Sequence, residues 1–305
     1  MKQQEHIPVF YEGQDDLVDI LATSMASVCY NTKSFIDFYI LDCGICNINK
    51  KLLESMKEKF NNFSIEFIPI DLKQFAGLKG YTEKNFLDCY SRLLISELKP
   101  NLDKAIYLDT DTIALDDISL LWHENLHGKS LGASKDTGVQ QTALDNFIKV
   151  LKGNPNQPYL TAGVYVIDCK KWRQNNTTHN LLVLAKKNKK NLLIIIEELF
   201  SLYFTDDYYL LPCRYGFIDA NNLNVDEKLI MGLTTSYLRE ELKNIVVFHF
   251  AGGSKPWKSC KTAAQNRTTL HVNDFWYYAS LTPFFYGLQA KLDESILNLK
   301  IKGEL

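Results

Sequence analysis

Apolar and polar positions alternate, or apolar ones run together, in four short stretches of the first third of the chain. These are IPVFY (7–11), FIDFYILD (35–42), SIEFIPID (64–71) and AIYLD (105–109). All are rich in Ile, Val, Phe and Tyr, which suit a pleated surface and predict strands. Between them the period changes to that of a helix. DDLVDILATSMASVCYN (15–31) has it, and in INKKLLESMKEKF (48–60) Leu52, Leu53, Met56 and Phe60 fall on one face. A further helix is expected over TEKNFLDCYSRLLISELK (82–99), opened by Thr82 with Asn85 in the place of the usual capping-box glutamate. Later stretches predict a strand at GVYVID (163–168), a helix from KKWRQNN (170–176) and a strand at NIVVFHF (244–250).

Strand–helix alternation argues for an α/β fold, a largely parallel sheet with helices on both faces. Ligands of such sheets bind beyond the carboxyl ends of the strands. One α/β domain over 1–258 with a C-terminal helical extension over 259–305 is the simplest organisation.

Composition narrows the classes. With 46% hydrophobic and 23% charged residues the chain can bury a sizeable core, and a net charge of -2 gives no basic signature for nucleic acid. The N-terminus lacks a secretory apolar stretch, and no run approaches the ~18 apolar residues of a membrane span. Seven cysteines at irregular spacing suit reduced thiols. A cytoplasmic protein, with contact at the inner membrane face as an option, is the expectation. Cys43 and Cys46 have redox or zinc spacing, but no second pair follows, which favours a tight turn. The KKNKK run at 186–190 suits the solvated end of a helix.

The chemistry begins where AIYLD ends. Asp109 and Asp111 are two residues apart, so in an extended chain both point to one side. Two hard oxygen donors converging beyond a sheet can hold Mg²⁺ or Mn²⁺, leaving open positions for water and phosphate oxygens. A solvent-facing turn is the alternative for an isolated D-x-D. A second stretch, VVFHFAGGSKPWKS (246–259), breaks from a strand into Gly252, Gly253 and then Lys255. Glycines let backbone N–H groups face an anion, and the lysine adds a compact positive charge. His249, at the strand end, is either a metal ligand through neutral imidazole or a core histidine. Together the two stretches suit a metal–diphosphate complex, as in a nucleotide-linked donor.

At these residues the chain also resembles a known family. YSRLLISELKPNLDKAIYLDTDTIALDDISLLW (90–122), LTAGVYVIDCKKWR (160–173) and HFAGGSKPW (249–257) look like glycosyltransferase family 8, and the likeness runs from Ile7 to about 284. It implies a GT-A fold and a retaining, metal-dependent hexosyltransferase. The donor would be a UDP-sugar and the acceptor a glycan or glycolipid such as lipopolysaccharide. Asp109, Asp111 and His249 would bind Mn²⁺ or Mg²⁺, while Gly252 and Lys255 would hold the diphosphate. Arg92 would reach the donor sugar or its phosphate. The family's Ala-x-Asp-x-Asn loop is here Glu12, Gln14 and Asp16, with Gln14 able to meet a uracil edge. Thr161 stands where the family has Asn. The family's Asp-Gln-Asp falls on Ile196, Glu197 and Glu198, which makes Thr161 and Glu197 sugar contacts and Glu197 and Glu198 the catalytic carboxylate candidates. A covalent route through such a carboxylate has a precedent in retaining glycosidases. Same-face attack steered by the leaving phosphate is the preferred mechanism.

Two other functions fit parts of this pattern. A sugar-phosphate nucleotidyltransferase would need a lysine-rich loop after the first strand, which YEGQDDL (11–17) lacks. A sugar-nucleotide-binding protein without turnover would accord with the altered sugar-contact positions. The aromatic tail (273–303) either packs the last helices onto the domain or lies against a membrane.

Overall fold

The computed structural model describes residues 4–81, 86–218, 232–252, 255–258 and 270–303. Its strands, in chain order, are β1 (His6–Gly13), β2 (Phe35–Asp42), β3 (Phe63–Pro69), β4 (Lys104–Leu108), β5 (Thr112–Ala114), β6 (Leu131–Lys135), β7 (Leu160–Asp168), β8 (Tyr208–Leu210), β9 (Phe217–Ile218) and β10 (Val247–His249). Among the described residues, seven form one sheet in the order β3-β2-β1-β4-β7-β6-β8, and three form a small sheet, β5-β10-β9. Pairing is parallel from β3 through β4 and again at β6–β8, whereas β7 runs antiparallel to both β4 and β6. The fold is thus mixed and mainly parallel, flanked by helices, as the alternation predicts.

The first helix, Val18–Asn31, shows how this sequence fixes the site. Every residue from Val18 to Cys29 is buried, because one side packs on the sheet and the other on the helix Val272–Ala279. Its small hydroxyl residues are therefore inside, and buried hydroxyls need partners. Ser27 Oγ accepts from the Ala114 amide at 2.8 Å, and Ser24 Oγ lies 3.1 Å from Thr112 Oγ1 and 2.9 Å from Tyr11 Oη. These bonds tie β5 to the helix and fix the end of the Asp109–Asp111 segment.

Several boundaries differ from the sequence reading. The capping pair Thr82 and Asn85 lies outside the described residues. The helix expected over 82–99 is a 3₁₀ segment at Asp88–Leu94 followed by one α turn at Ile95–Leu98. Every residue from Asp88 to Leu94 is buried, so this segment has no solvent face for an amphipathic α pattern to describe. The strand at 163–168 begins three residues earlier, at Leu160, because Leu160 and Ala162 are fully buried and extend the pairing with β6. The strand at 244–250 is only Val247–His249, and the helix at 48–60 is α-helical over Asn47–Ser55.

The two last helices, Val272–Ala279 and Phe285–Ile301, dock by Phe275, Tyr278 and Leu288, while Tyr286 and Ile301 remain exposed. Among the described residues no helix is long and apolar enough to cross a membrane. Lys186 and Lys187 close the last turn of the helix Thr177–Asn188, in accord with the helix-end reading. Cys43 and Cys46 are free thiols in a bend, where the Asp42 carboxylate accepts from the Gly44 and Ile45 amides.

Candidate active site

β4 stops at Leu108, so Asp109 and Asp111 do not converge by strand alternation. The chain turns there: the Asp109 carbonyl accepts from the Thr112 amide at 3.2 Å and from its hydroxyl at 2.8 Å. This turn passes the chain from the large sheet to the small one. The Asp109 amide donates to the Gly163 carbonyl of β7 at 2.7 Å, and the Asp111 carbonyl accepts from the Phe250 amide at 2.9 Å. The two carboxylates are thereby fixed between β7 and the end of β10.

His249 completes the group. It pairs with Thr112 across β10–β5 and lies 6% exposed. Its Nε2 is 3.1 Å from Asp111 and 3.8 Å from Asp109, and one ligand atom from each of the three residues lies within 4.8 Å of the others. Two carboxylates suit a hard cation such as Mg²⁺ or Mn²⁺, and the imidazole beside them favours the transition ion Mn²⁺. The three side chains therefore fit a divalent cation.

Gly163, which the sequence reading quoted but gave no role, makes room for the histidine. A Cβ there would sit 2.2 Å from His249 Cε1 and 2.6 Å from its Nδ1. The signal was available only as a glycine inside an otherwise bulky strand, which often marks close approach of another group.

Arg92 lies against Asp109. Its Nη1 lies 2.9 Å from Asp109 and donates to the Ala162 carbonyl at 3.0 Å, its Nη2 lies 3.2 Å from Glu12, and the guanidinium lies 4.5 Å from the centre of the Tyr107 ring. Both terminal nitrogens are thus engaged by the protein, so Arg92 positions Asp109. Tyr107 supports it with a hydroxyl bond to the same carboxylate at 2.9 Å. One guanidinium serves two carboxyls here. Burial pushes the Glu12 carboxyl up to about 8 against the pull of Arg92.

Asp111 is half-buried, and desolvation alone would raise its carboxyl. The Lys255 ammonium and the His249 ring more than offset this, and the group is held well below the usual carboxylate range. Burial likewise opposes a charged His249, but the two aspartates outweigh it and its pKa is raised. Lys255 reaches into the cluster, donating to Asp111 and to the Phe250 carbonyl. Gly252, with φ +76°, provides the turn that brings the chain back toward it.

Gln14 and Asp16 line a cleft of about 390 Å³ at the end of β1, walled by Gly44, Leu72 and Phe86. Gln14 Nε2 donates to Glu12 at 3.1 Å. A chain of polar contacts thus runs from the cleft through Glu12 and Arg92 to Asp109. Asp16 is exposed, and its carbonyl accepts from Lys291 at 3.2 Å.

The expected sugar contacts Thr161 and Glu197 part company, and Ile196 lies elsewhere again. Ile196 is 1% exposed inside the apolar core, so it does not face a ligand. Thr161 turns its hydroxyl to the Gly163 amide of its own strand, at 3.4 Å. Glu197 remains by the site, with Tyr81 Oη 3.3 Å away. Burial, then the nearby Asp136, push its carboxyl up to about 7. Asp136, which follows β6 and was not singled out from sequence, accepts from the Gly138 amide at 2.8 Å and has its own carboxyl raised by burial, with His249 opposing.

Glu198 is structural. Its fully buried carboxylate accepts from the Leu193 amide at 2.6 Å, the Ile194 amide at 3.1 Å and Asn146 Nδ2 at 2.8 Å, capping the helix Ile195–Tyr203. A catalytic carboxylate needs a free oxygen at the reacting centre, and these donors hold both. Glu198→Ala is expected to lower stability by about 2–4 kcal/mol, since several buried donors lose their acceptor. Thermal denaturation checks this, and unchanged stability would return Glu198 to the catalytic candidates.

The chain is similar in sequence and in fold to known proteins. The chain is 24% identical over 241 residues to a putative glycosyltransferase of Haemophilus influenzae, covering 79% of this chain and 70% of that one. Its fold matches that of the galactosyltransferase LgtC, solved with donor and acceptor sugar analogs, with a TM-score of 0.77 at 23% identity over 94% of this chain and all of that one. It matches the bifunctional glycosyltransferase WbbM equally, TM-score 0.77 at 20% identity, over 96% of this chain and 52% of that longer chain. The model of the family described as Glycosyl transferase family 8 matches residues 8–261, most of the sequence. This chain, with its mixed GT-A sheet and its Asp-Asp-His cluster, belongs to glycosyltransferase family 8.

Proposed function

We propose that the protein transfers a hexose from a UDP-sugar to a glycan acceptor, such as a lipopolysaccharide or another surface glycan, with retention at the anomeric carbon. The observation that carries this is the convergence of Asp109, Asp111 and His249 within 4.8 Å, with Lys255 on the same group. A divalent ion held there, Mn²⁺ or Mg²⁺, supplies positive charge against the developing charge of a departing diphosphate. Lys255 adds a second positive charge for the same diphosphate, and the Gly252 turn lets the backbone approach it. Arg92 and Tyr107 hold Asp109 in its productive place. Gln14 offers an amide to a base in the cleft at the end of β1.

Same-face attack needs no covalent intermediate: the acceptor hydroxyl gives its proton to the leaving phosphate oxygen. Glu197 in its ionised form stabilises positive charge on the sugar ring in the transition state. It is protonated below its pKa, so kcat/KM is expected to rise as pH passes upward through about 7. Glu197→Gln is expected to flatten that step, and an unchanged profile would remove Glu197 from this role.

The reading is tested by incubating the protein with Mn²⁺, a panel of UDP-hexoses and glycan acceptors, with the first-formed anomer followed by NMR. Transfer with the donor's anomeric configuration supports it, and an inverted product contradicts it. Binding of UDP-sugars with neither transfer nor hydrolysis favours a nucleotide-sugar binding protein instead. Ile196 does not argue for that second reading, since it lies in the core.

A further inference from the structure

The carboxylates of the cluster are already compensated by cations of the chain itself. Asp109 faces Arg92, while Asp111 has His249 Nε2 at 3.1 Å on one oxygen and the Lys255 ammonium on the other. The Lys255 side chain is only 12% exposed, so the ammonium is folded inward and not waiting in solvent.

The two cations are not equally held. Arg92 is fixed by two carboxyls, a carbonyl and a tyrosine face, so releasing it would leave a buried guanidinium without partners. Lys255 has a flexible stem and a point charge, and among the described residues its ammonium meets Asp111, the Phe250 carbonyl and, at 5.7 Å, the Trp257 ring. It is also the group assigned to the diphosphate. A divalent cation on Asp111 repels an ammonium on the same carboxylate, so metal and lysine compete for it, and a diphosphate offers the ammonium another partner.

We infer that Lys255 is an exchangeable internal counter-ion, which holds Asp111 in the empty site and moves to the diphosphate when Asp111 takes a divalent cation. This rests on the metal–diphosphate reading of the site. The consequence is an order of events. Alone, the cation must displace a lysine from its carboxylate, and its affinity is weakened accordingly. With a nucleoside diphosphate present the released ammonium has a partner, so each ligand strengthens the other by the same factor.

Removing the ammonium therefore has opposite effects on the two ligands. Binding of Mn²⁺ is read from loss of the free-ion EPR signal, with and without UDP. Lys255→Met is expected to bind Mn²⁺ alone roughly tenfold more tightly than wild type, the scale of a charge-assisted hydrogen bond lost as a competitor. The same variant is expected to bind UDP more weakly in the presence of Mn²⁺ and to show less mutual strengthening. Lys255→Arg, which keeps the charge, stays near wild type for Mn²⁺ alone. A second readout needs no substitution. Acetylation of Lys255, followed by mass spectrometry, is expected to speed up on adding Mn²⁺ and to slow again on adding UDP.

Unchanged or weaker Mn²⁺ binding by Lys255→Met, or acetylation indifferent to Mn²⁺, would overturn the exchange while leaving the metal site intact. A wild type that binds no Mn²⁺, with UDP or without, would instead overturn the reading of the site on which the exchange depends.

Discussion

Replacing Asp111 by asparagine is expected to lower metal-dependent kcat/KM by roughly three orders of magnitude while leaving the fold in place. Several kcal/mol of transition-state charge stabilisation are at stake, and each 1.4 kcal/mol is about tenfold in rate. Asparagine keeps the shape of the side chain and its backbone link to Phe250, so the turn between the two sheets survives. What it removes is one of the two negative charges that the divalent cation needs, together with the anionic partner of both His249 and Lys255. The loss must appear in Mn²⁺ affinity as well as in rate. A variant that bound Mn²⁺ normally and turned over slowly would show that Asp111 acts in some way other than as a ligand.

Gly163→Ala is expected to be the next most damaging change, although Gly163 carries no chemistry of its own. The new methyl would lie 2.2 Å from one ring atom of His249, 2.6 Å from another and 3.0 Å from Asp109 Oδ2. Neither side can yield easily. Val164 pairs with Leu108 in β4, and the Gly163 carbonyl is held by the Asp109 amide. His249 is paired on both sides, with Thr112 and Ile218. The imidazole must therefore swing away from the aspartates. We expect a stability loss of about 1–3 kcal/mol from overpacking and a fall in Mn²⁺ affinity of at least about tenfold, since a ligand leaves the site. Gly287→Ala is the matched control. It lies in the helix Phe285–Ile301 with nothing within 4 Å of the new methyl, and it should gain stability by about 0.5–1 kcal/mol. Isothermal titration with Mn²⁺ and thermal denaturation of both variants check the pair. A Gly163→Ala protein with wild-type metal affinity would mean that His249 is not a ligand.

The parts of this molecule that were legible in the sequence are those whose signal is local. The long apolar strands β1 to β4 and the helices between them announce a parallel α/β sheet by periodicity alone. The D-x-D and the histidine–glycine–lysine stretch announce themselves by chemistry out of place at strand ends. Even there the physical route was different. Asp109 and Asp111 converge through a turn that crosses between sheets, with Thr112 as its clasp, and not through strand alternation.

Long-range packing decided what was not legible. β6 carries Gly, Ala and Ser and is buried, while β8 and β9 are three and two residues long, and pairing with neighbouring strands makes them sheet where their own pattern does not. That Arg92 lies beside Asp109 was not legible either, because its contacts to Tyr107, Glu12 and the Ala162 carbonyl are supplied only by the fold. Ile196 and Glu198 differ from Glu197 by one position each. On a helix that is a rotation of about 100°, enough to send Ile196 into the core and to bring Glu198 under the helix's own N-terminus. Asp136 gave no sign at all, because only the fold places it near His249 and Glu197.

The most direct test of the whole account is turnover of a UDP-sugar by the wild-type protein before chelation, after chelation by EDTA and after Mn²⁺ is restored, with Asp111→Asn beside it. Donor cleavage is expected to disappear with EDTA, to return with Mn²⁺ and to stay roughly three orders of magnitude lower in the variant. Cleavage that persists under EDTA, or that Asp111→Asn retains undiminished, would contradict the account.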